Sequence, residues 1–391
     1  RPKIIFISIF LVGLLLRVIN VWDNPLSLYG DELTIVYDAY SLLKTGQDQL
    51  GNPFPLTFEM GAGRPAGYVY FSIPAVALFG PTALGVRMLS ILSGLGIILL
   101  LFLLGKRFFG EKVGLTASAM IAFSPWDISL SRGGFEAHFA LFLVLLAIYL
   151  FLVASSKPVF YVFSALAFGL TVHTYPTYKL VLPLFLPLLI WFRGNIKLLW
   201  NSKNKFYSFT SIITLLILVV LSVNQTLTRG SETRFSDINI FSKGELKAQV
   251  EQKINFERSV SILPQGFLRI FHNKAVEYGK VFIENYLQNF SLDFLVIHGD
   301  GHPRHNMATM GEIYLAQFIL FFVGLVSFWT KYKKILTALL FWLVLAPIPT
   351  AIVDVPHALR SSFMLPPIIM ISALGAVTLI NKKSKIFLTG I

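Results

Sequence analysis

The sequence predicts an all-α polytopic membrane protein, and three observations support this prediction. The chain of 391 residues is 55% hydrophobic and only 14% charged, with a mean hydropathy of +0.69. Its apolar residues form separate runs of roughly 17 to 22 residues, which suit a hydrocarbon core about 30 Å thick. Basic residues cluster in the short connections between these runs, as the positive-inside rule describes.

The hydrophobic runs define the expected domain. We predict one transmembrane domain over residues 1–391 with about ten or more membrane helices, and the first run as a retained helix because no small-residue cleavage site follows it. A further apolar stretch begins at Ile386, so a C-terminal extension of the native chain stays open. The predicted spans lie near residues 3–20, 85–104, 113–125, 137–153, 159–173, 180–192, 206–223, 313–329, 335–350 and 361–379.

Charge is distributed unequally over the two sides of these spans. With a cytoplasmic N-terminus, the inner connections contain 16 of the 33 basic residues and only one of the 20 acids, Glu111. The two long outer segments cover about 21–84 and 224–312. Because loops on a rigid scaffold usually carry function, we predict an active site outside the cytoplasm, in a prokaryotic plasma membrane.

Several functional classes lose support from the sequence. A net charge of +13 would suit nucleic acid, but the basic residues lie between apolar spans, so no nucleic-acid partner is expected. The absence of cysteine excludes disulfides and thiolate metal sites. No Walker loop, HExxH, GxSxG or dinucleotide fingerprint occurs in a suitable context, which disfavours ATP-driven transport, metalloproteases and serine hydrolases.

Two adjacent acids, Asp31 and Glu32, follow the first span and open an amphipathic segment. Leu33, Val36, Tyr37, Tyr40 and Leu43 recur at helical spacing, so one apolar stripe is expected to lie along the bilayer. Two interpretations of the acids are open. Asp31 is either an N-cap with Glu32 as a first-turn acid, or the pair is catalytic at the membrane surface.

Other polar clusters fall on the same outer side, and each has an ordinary alternative. An arginine beside a span can simply reach the headgroups, and acid–arginine neighbours four residues apart can pair along a helix. The histidine-rich segment 298–306 suits either a divalent metal site of Asp300, His302 and His305 or a glycine-rich loop without metal; no cofactor is certain. The clusters are Arg87; Arg132, Glu136 and His138; His173 and Tyr175; segment 298–306; and His357 with Arg360.

Carboxylates together with several arginines suit one kind of chemistry at an outer membrane surface. An arginine can hold a phosphate through two hydrogen bonds, and a carboxylate can accept a hydroxyl proton. A lipid-linked sugar donor and a hydroxyl acceptor require both groups. The sequence therefore favours transfer of a sugar from a lipid phosphate.

An ordered set of motifs adds a resemblance that covers essentially the whole chain. The chain resembles the polyprenol-phosphate-sugar-dependent membrane glycosyltransferases of the GT-C fold, in the protein O-mannosyltransferase and aminoarabinose transferase superfamily. It departs from them in having no clear soluble C-terminal domain. The matching stretches are the Asp31–Glu32 pair, Tyr37–Gly46, Ser124–Glu136, Tyr175–Pro176, Gly299–Gly301 with Arg304–Asn306, and Pro356–Ser361.

The resemblance implies a GT-C type helical bundle with extracytoplasmic juxtamembrane helices in the first loop. It also implies an outward-facing active site, an acid of the first loop as general base, inversion at the sugar and a polyprenyl-phosphate donor. The expected partners are this donor lipid, a hydroxyl-bearing protein, lipid or glycan, and the bilayer. A lipid or sugar transporter or flippase without transferase chemistry is the alternative function, and a non-catalytic scaffold is a third.

The candidate site residues fall into groups by expected role. Asp31 is the expected general base, with Glu32 and Glu136 positioning the acceptor or tuning that base. The arginines expected to bind the donor phosphate are Arg87, Arg132, Arg304 and Arg360. The residues expected to bind substrate are Tyr37, Arg64, His138, His173, Tyr175, His302, His305 and His357.

Overall fold

The structure is a computed structural model that describes residues 1–60, 63–194, 204–228, 239–262, 264–305 and 310–389. Almost all regular structure in these ranges is helical. The sheet is limited to two short antiparallel strands, β1 (Thr57–Phe58) and β2 (Arg64–Pro65), with Thr57 opposite Pro65. The prediction of an all-α polytopic membrane protein is confirmed.

The helices follow one another with short connections through the first half of the chain. They are α1 (Pro2–Val18), α2 (Gly30–Thr45), α3 (Gly67–Phe79), α4 (Ala83–Phe109), α5 (Glu111–Ala122), α6 (Pro125–Ser131), α7 (Glu136–Val153), α8 (Phe160–Val172), α9 (Thr177–Arg193) and α10 (Lys205–Thr228).

The second half contains the long outer segment and the last membrane helices. Its elements are α11 (Gly244–Val260), α12 (Gln265–Phe271), α13 (Lys274–Gln288), a π-helical turn (Asp293–Ile297), α14 (Leu315–Phe328), α15 (Lys333–Leu345), α16 (Ile348–Val353), α17 (Ala358–Ser361), a 3₁₀ turn (Ser362–Met364) and α18 (Leu365–Thr389).

Each of the ten predicted spans overlaps a helix. Five stretches of the described chain are long and apolar enough to cross a membrane: Ala83–Phe109, Glu136–Val153, Lys205–Gln225, Lys333–Val353 and Ala358–Asn381. Shorter apolar helices include α3, α8 and α14. The chain is therefore a multi-pass integral membrane protein.

The first outer loop contains the helices α2 and α3, as expected for juxtamembrane elements. Helix α2 begins at Gly30 with Tyr29 as its N-cap, so the interpretation of Asp31 as an N-cap is wrong. The predicted apolar stripe is also divided. Val36 is buried against the protein, whereas Leu33 and Tyr37 remain more than half exposed.

Helix α4 lies at the centre of the bundle and packs against α3, α5 and α7. Glycine allows an unusually close approach elsewhere, between α14 and α18. A Cβ on Gly324 would lie 2.1 Å from the carbonyl oxygen of Ile371, and one on Gly375 would lie 2.0 Å from that of Leu320. Small residues bring membrane helices into backbone contact in this way.

Two apolar cores result from this packing. The larger runs along the membrane helices, and the smaller joins α2 and α3 to the outer ends of α4 and α7. Ile35 of α2, Tyr68 of α3, Val86 of α4 and Phe139 of α7 belong to the smaller core. The start of α2 is thereby held against the loop that precedes α7.

Candidate active site

Glu32 and Arg87 form a fully buried ion pair between α2 and α4. The guanidinium makes two parallel contacts with the carboxylate, Nε to Oε1 at 2.8 Å and Nη2 to Oε2 at 2.9 Å. Its remaining N–H groups donate to the carbonyl oxygens of Val21, Pro25 and Ser27. Arg87 therefore has all of its donors occupied by the protein.

The same carboxylate also holds the loop between α6 and α7. The backbone N–H of Gly134 donates to Oε1 of Glu32 at 2.7 Å. A Cβ on Gly134 would lie 2.9 Å from a Val86 methyl and 3.2 Å from Cγ of Glu32, so glycine permits this close approach. Glu32 thus joins the first outer loop to the second.

Asp31 points away from Glu32 and meets a different arginine. Nη2 of Arg64 lies 2.7 Å from Oδ1 of Asp31, and Nε lies 2.6 Å from Oε1 of Glu136. Nη1 donates to the Thr34 hydroxyl at 2.7 Å. Arg64 is 1% exposed, whereas the carboxylates of Asp31 and Glu136 are 50% and 16% exposed. The buried guanidinium of Arg64 therefore binds two carboxylates that remain partly accessible. We call Asp31, Arg64 and Glu136 together the acid cleft.

An aromatic wall links the acid cleft to the histidine-rich segment. The ring of Tyr29, two residues before Asp31, and the ring of Phe135, directly before Glu136, stack at 5.5 Å between centroids. The guanidinium of Arg304 lies 5.1 Å over the Tyr29 ring, and the His305 ring meets Phe135 edge-on at 5.5 Å. Segments that are more than 160 residues apart in sequence are therefore neighbours in the structure.

Asp300, His305 and His357 form a compact cluster beside this wall. Their ligand atoms all lie within 4.8 Å of one another, with Oδ2 of Asp300 3.2 Å from Nδ1 of His305 and 3.7 Å from Nδ1 of His357. Backbone N–H groups of His302 and Ala358 donate to the Asp300 carboxylate. The structure thus keeps Asp300 and His305 of the predicted metal set and supplies His357 in place of His302.

The protonation states in this cluster follow from burial and neighbouring charge. Burial, assisted by Arg360 and His305, lowers the pKa of His357 to about 3, so its imidazole is neutral near pH 7. Burial acts to raise the pKa of Asp300, but the hydrogen bond with His305, the nearby His357 and the two backbone N–H groups together more than offset it, so the pKa lies below its usual range. Burial raises the pKa of Glu312 to about 8, and this carboxyl accepts a hydrogen bond from the Asp300 backbone.

Arg304 and Arg360 lie at the edge of the cluster. Arg304 is exposed, and its Nη2 lies 3.1 Å from Nε2 of His302. Arg360 is half-buried in α17 and is close enough to His357 to affect its pKa. Neither arginine has a carboxylate within 4 Å in the described parts of the chain. Both retain N–H donors for a ligand.

Other predicted residues are placed outside the acid cleft. Arg132 does not pair with Glu136; it donates to the carbonyls of Leu16 and Asn24. His138 is buried, with Nε2 3.0 Å from the carboxylate of Asp127.

His173, Tyr175 and Tyr37 are also separate from the cleft. Nε2 of His173 lies 2.8 Å from the carbonyl of Leu218 on α10. The Tyr175 ring faces Tyr178, and Tyr37 lies on the exposed side of α2. Asn306, which belongs to one of the quoted motifs, lies outside the described residues.

The sequence reasoning missed several residues that support the site. Arg17 and Asp127 form a buried ion pair below the second outer loop, and Asp127 in turn holds His138. Tyr29 and Phe135 form the aromatic wall. A signal existed for Phe135, which lies inside the Ser124–Glu136 stretch, and for Tyr29, two residues before Asp31, whereas nothing in the sequence pairs Arg17 with Asp127.

Comparisons with known proteins agree with this architecture. The model of the dolichyl-phosphate-mannose-protein mannosyltransferase family matches residues 64–223. The oligosaccharyltransferase AglB from Archaeoglobus fulgidus, in complex with an inhibitory peptide and a dolichol-phosphate, is similar at a TM-score of 0.56 and 13% identity, over 99% of this chain and 51% of AglB. No curated protein sequence matches the chain.

Two further structures are similar. ArnT from Cupriavidus metallidurans, bound to undecaprenyl phosphate, has a TM-score of 0.56 and 11% identity, over 95% of this chain and 59% of ArnT. AglB in complex with Zn and sulfate has a TM-score of 0.55 and 15% identity, over 97% of this chain and 49% of AglB. The chain has the GT-C fold. It spans about half the length of these proteins, and the resemblance seen in the sequence is confirmed.

The geometry predicts that the GT-C framework depends on the Glu32–Arg87 pair. Glu32→Gln leaves a buried guanidinium without its counter-charge, which typically costs about 3–5 kcal/mol of the free energy of unfolding. We expect a clear drop in the melting temperature of the purified protein. Glu111→Gln is the control, since the exposed Glu111–Lys106 pair is worth about 0–1 kcal/mol. Equal melting temperatures for both variants would show that the buried pair does not hold the fold.

Proposed function

We propose that this protein is an inverting glycosyltransferase. It moves a sugar from a polyprenyl-phosphate donor to a hydroxyl acceptor on the extracytoplasmic side of a prokaryotic plasma membrane. The observation that carries the proposal is the convergence of the acid cleft with Arg304 and Arg360 at one outer surface. The family match and the dolichol-phosphate and undecaprenyl phosphate named with AglB and ArnT support this class of donor.

In the proposed reaction Asp31 is the general base. The acceptor hydroxyl oxygen attacks the anomeric carbon, its proton passes to the Asp31 carboxylate, and the bond from the anomeric carbon to the phosphate oxygen breaks. The polyprenyl phosphate leaves with the bonding electron pair. Asp31 suits this role because it is half exposed and held by Arg64, whereas Glu32 is buried and fully engaged.

Glu136 is proposed as a positioning residue for Asp31. It contacts Nε of the Arg64 guanidinium, next to the Nη2 that contacts Asp31, and thereby holds the group that orients the base. It is also partly exposed, which makes it the second carboxylate that an acceptor can meet. We therefore assign Glu32 and Arg87 to support of the framework and keep Asp31 and Glu136 for the reaction.

Arg304 and Arg360 are proposed to hold the donor phosphate. Both retain unused donors, Arg304 over the Tyr29 ring and Arg360 close to His357, while the donors of Arg87 are occupied by Glu32 and backbone carbonyls. Arg132 lies on the carbonyls of Leu16 and Asn24, which turns its guanidinium toward α1. Of the four arginines first considered, Arg304 and Arg360 fit phosphate recognition best.

The Asp300–His305–His357 cluster is proposed to bind a divalent cation. A carboxylate with two imidazoles is a ligand set for zinc and similar divalent ions, which bind neutral imidazoles and ionised carboxylates. The buried Nδ1 of His357 has no hydrogen-bond partner in the described residues, so a lone pair is available there. When bound, the ion supplies positive charge that neutralises phosphate oxygens.

The transfer reaction tests the role of Asp31. Asp31→Asn removes the carboxylate that accepts the proton, so transfer should fall by roughly 10²–10⁴-fold while donor binding persists. The measurement is transfer of labelled sugar by the purified protein, with a panel of polyprenyl-phosphate sugars. Glu59→Gln, an exposed acid of the same loop, is the control.

The Asp31 experiment has two informative contrary outcomes. Normal turnover in Asp31→Asn together with an inactive Glu136→Gln would move the base to Glu136. Normal turnover in both variants would remove the acid cleft from the mechanism. A wild-type protein that transports but does not transfer any labelled sugar would favour the transporter alternative.

Binding of undecaprenyl phosphate tests the two arginines. Arg304→Ala or Arg360→Ala should weaken binding by about 1.5–3 kcal/mol, the usual contribution of a hydrogen bond to a charged group. Lysine should restore only part of the affinity, because it lacks the planar fork of arginine. Arg269→Ala on the exposed surface of α12 is the control. Unchanged affinity in both site variants would exclude them from phosphate recognition.

Direct metal analysis tests the cation site. We expect purified protein dialysed against Zn²⁺ or Mn²⁺ to retain about one ion per chain, and Asp300→Asn or His357→Gln to reduce retention by about 10-fold or more. His298→Gln, a nearby histidine outside the cluster, should retain the ion. Equal metal content in all four proteins would show that this cluster is not a metal site.

A further inference from the structure

A second cluster of arginines lies far from the acid cleft, at the opposite ends of the membrane helices. Nη2 of Arg107, in the last turn of α4, donates to the carbonyl of Leu152. Nη1 of Arg193, in the last turn of α9, donates to the carbonyl of Phe151. The two guanidiniums therefore bind adjacent carbonyls at the end of α7, close enough for their like charges to repel each other.

Within the described residues, neither arginine is neutralised by a carboxylate. No carboxylate lies within 4 Å of Arg107 or Arg193 among the described residues. Each guanidinium carries five N–H donors in a rigid fork, of which one donates to a carbonyl of α7 and, in Arg193, another faces the Tyr161 hydroxyl. The pair thus offers spare donors and two uncompensated charges. By the positive-inside rule this end of the bundle faces the cytoplasm.

An apolar cavity opens directly beside Arg193. Its guanidinium lies 5.2 Å over the Phe151 ring and 4.8 Å over the Tyr161 ring, and both rings line the cavity. The volume is about 180 Å³, larger than the roughly 150 Å³ of engineered apolar cavities that take up benzene. Phe168, Leu189 and Leu215 supply further walls from α8, α9 and α10.

The cavity is accessible from the bilayer because the rest of the protein covers little of the surface of α10. Only 11% of the apolar stretch of α10 is buried, against 50% or more in the other four candidate spans. Helix α10 packs chiefly on α8, which leaves a gap toward α9 that its Leu215 side chain borders. A hydrocarbon chain can therefore enter from the lipid without passing through water.

We propose that this cavity and the Arg107–Arg193 pair form a binding site for an anionic glycerophospholipid of the inner leaflet. One acyl chain occupies the cavity between α8, α9 and α10, and the lipid phosphate accepts hydrogen bonds from the two guanidiniums. The positive-inside rule by itself accounts for two arginines at this end of the bundle, but it does not account for the apolar cavity beside them. A zwitterionic lipid fits less well, because its own ammonium group competes with the arginines for the phosphate.

Intact-protein mass spectrometry of the full chain in detergent tests the proposal. Titration with dioleoyl phosphatidylglycerol should give a one-lipid peak well above the level expected from non-specific attachment. Titration with phosphatidylcholine should give no such excess. Arg193→Gln should weaken retention by about five-fold, since each basic residue near the membrane surface contributes roughly 1 kcal/mol toward an anionic lipid. Lys157→Gln, an exposed basic residue from the same side, is the matched control.

Filling the cavity with a larger side chain is a second, independent test of the proposal. Leu215→Trp places a large ring in the cavity and should reduce phosphatidylglycerol retention by about 10-fold, whereas Leu216→Trp, on the lipid-exposed side of α10, should not. If Leu215→Trp unfolds, Arg193→Gln alone decides, because it changes none of the residues that line the cavity. Equal retention of both phospholipids, equal effects of the site and control variants, or preferential retention of undecaprenyl phosphate would overturn the proposal.

Discussion

The buried ion pair of Glu32 and Arg87 is the interaction on which the outer half of this protein depends. Moving two charges out of water costs several kcal/mol each, so such a pair persists only when its hydrogen-bonding groups are fully used. Here the guanidinium also binds carbonyls at the end of the first span, and the carboxylate also binds Gly134. One pair thereby ties together the first outer loop, helix α4 and the second outer loop.

That arrangement explains why two adjacent acids have such different surroundings. Consecutive residues of a helix do not face the same side, so burying Glu32 against Arg87 turns Asp31 outward. Asp31 then meets Arg64, which reaches it from the β2 strand and reaches Glu136 from the start of α7. The Glu32–Arg87 pair fixes the backbone of α2, and the position of that backbone sets the geometry of the acid cleft.

The aromatic wall gives the outer surface its second half. Tyr29 and Phe135 are placed by the same segments that carry Asp31 and Glu136, and they receive Arg304 and His305 from the other end of the chain. The wall therefore lies between the segments that carry the acid cleft and the segment that carries Arg304 and His305.

The sequence by itself determined the class of fold, because apolar run length and charge asymmetry report directly on the bilayer. It also identified the segments of the outer surface, since Asp31, Glu136, Arg304 and His357 all lie in segments that were singled out. Only the tertiary structure decided which side chains of these segments contact each other. Arg87 and Arg132 look like phosphate ligands in the sequence but bind carboxylate and carbonyls, and His138 and His173 turn inward to Asp127 and to α10. The reason is physical: hydropathy and charge depend on the surrounding solvent, whereas the partner of a buried arginine depends on contacts between residues distant in sequence.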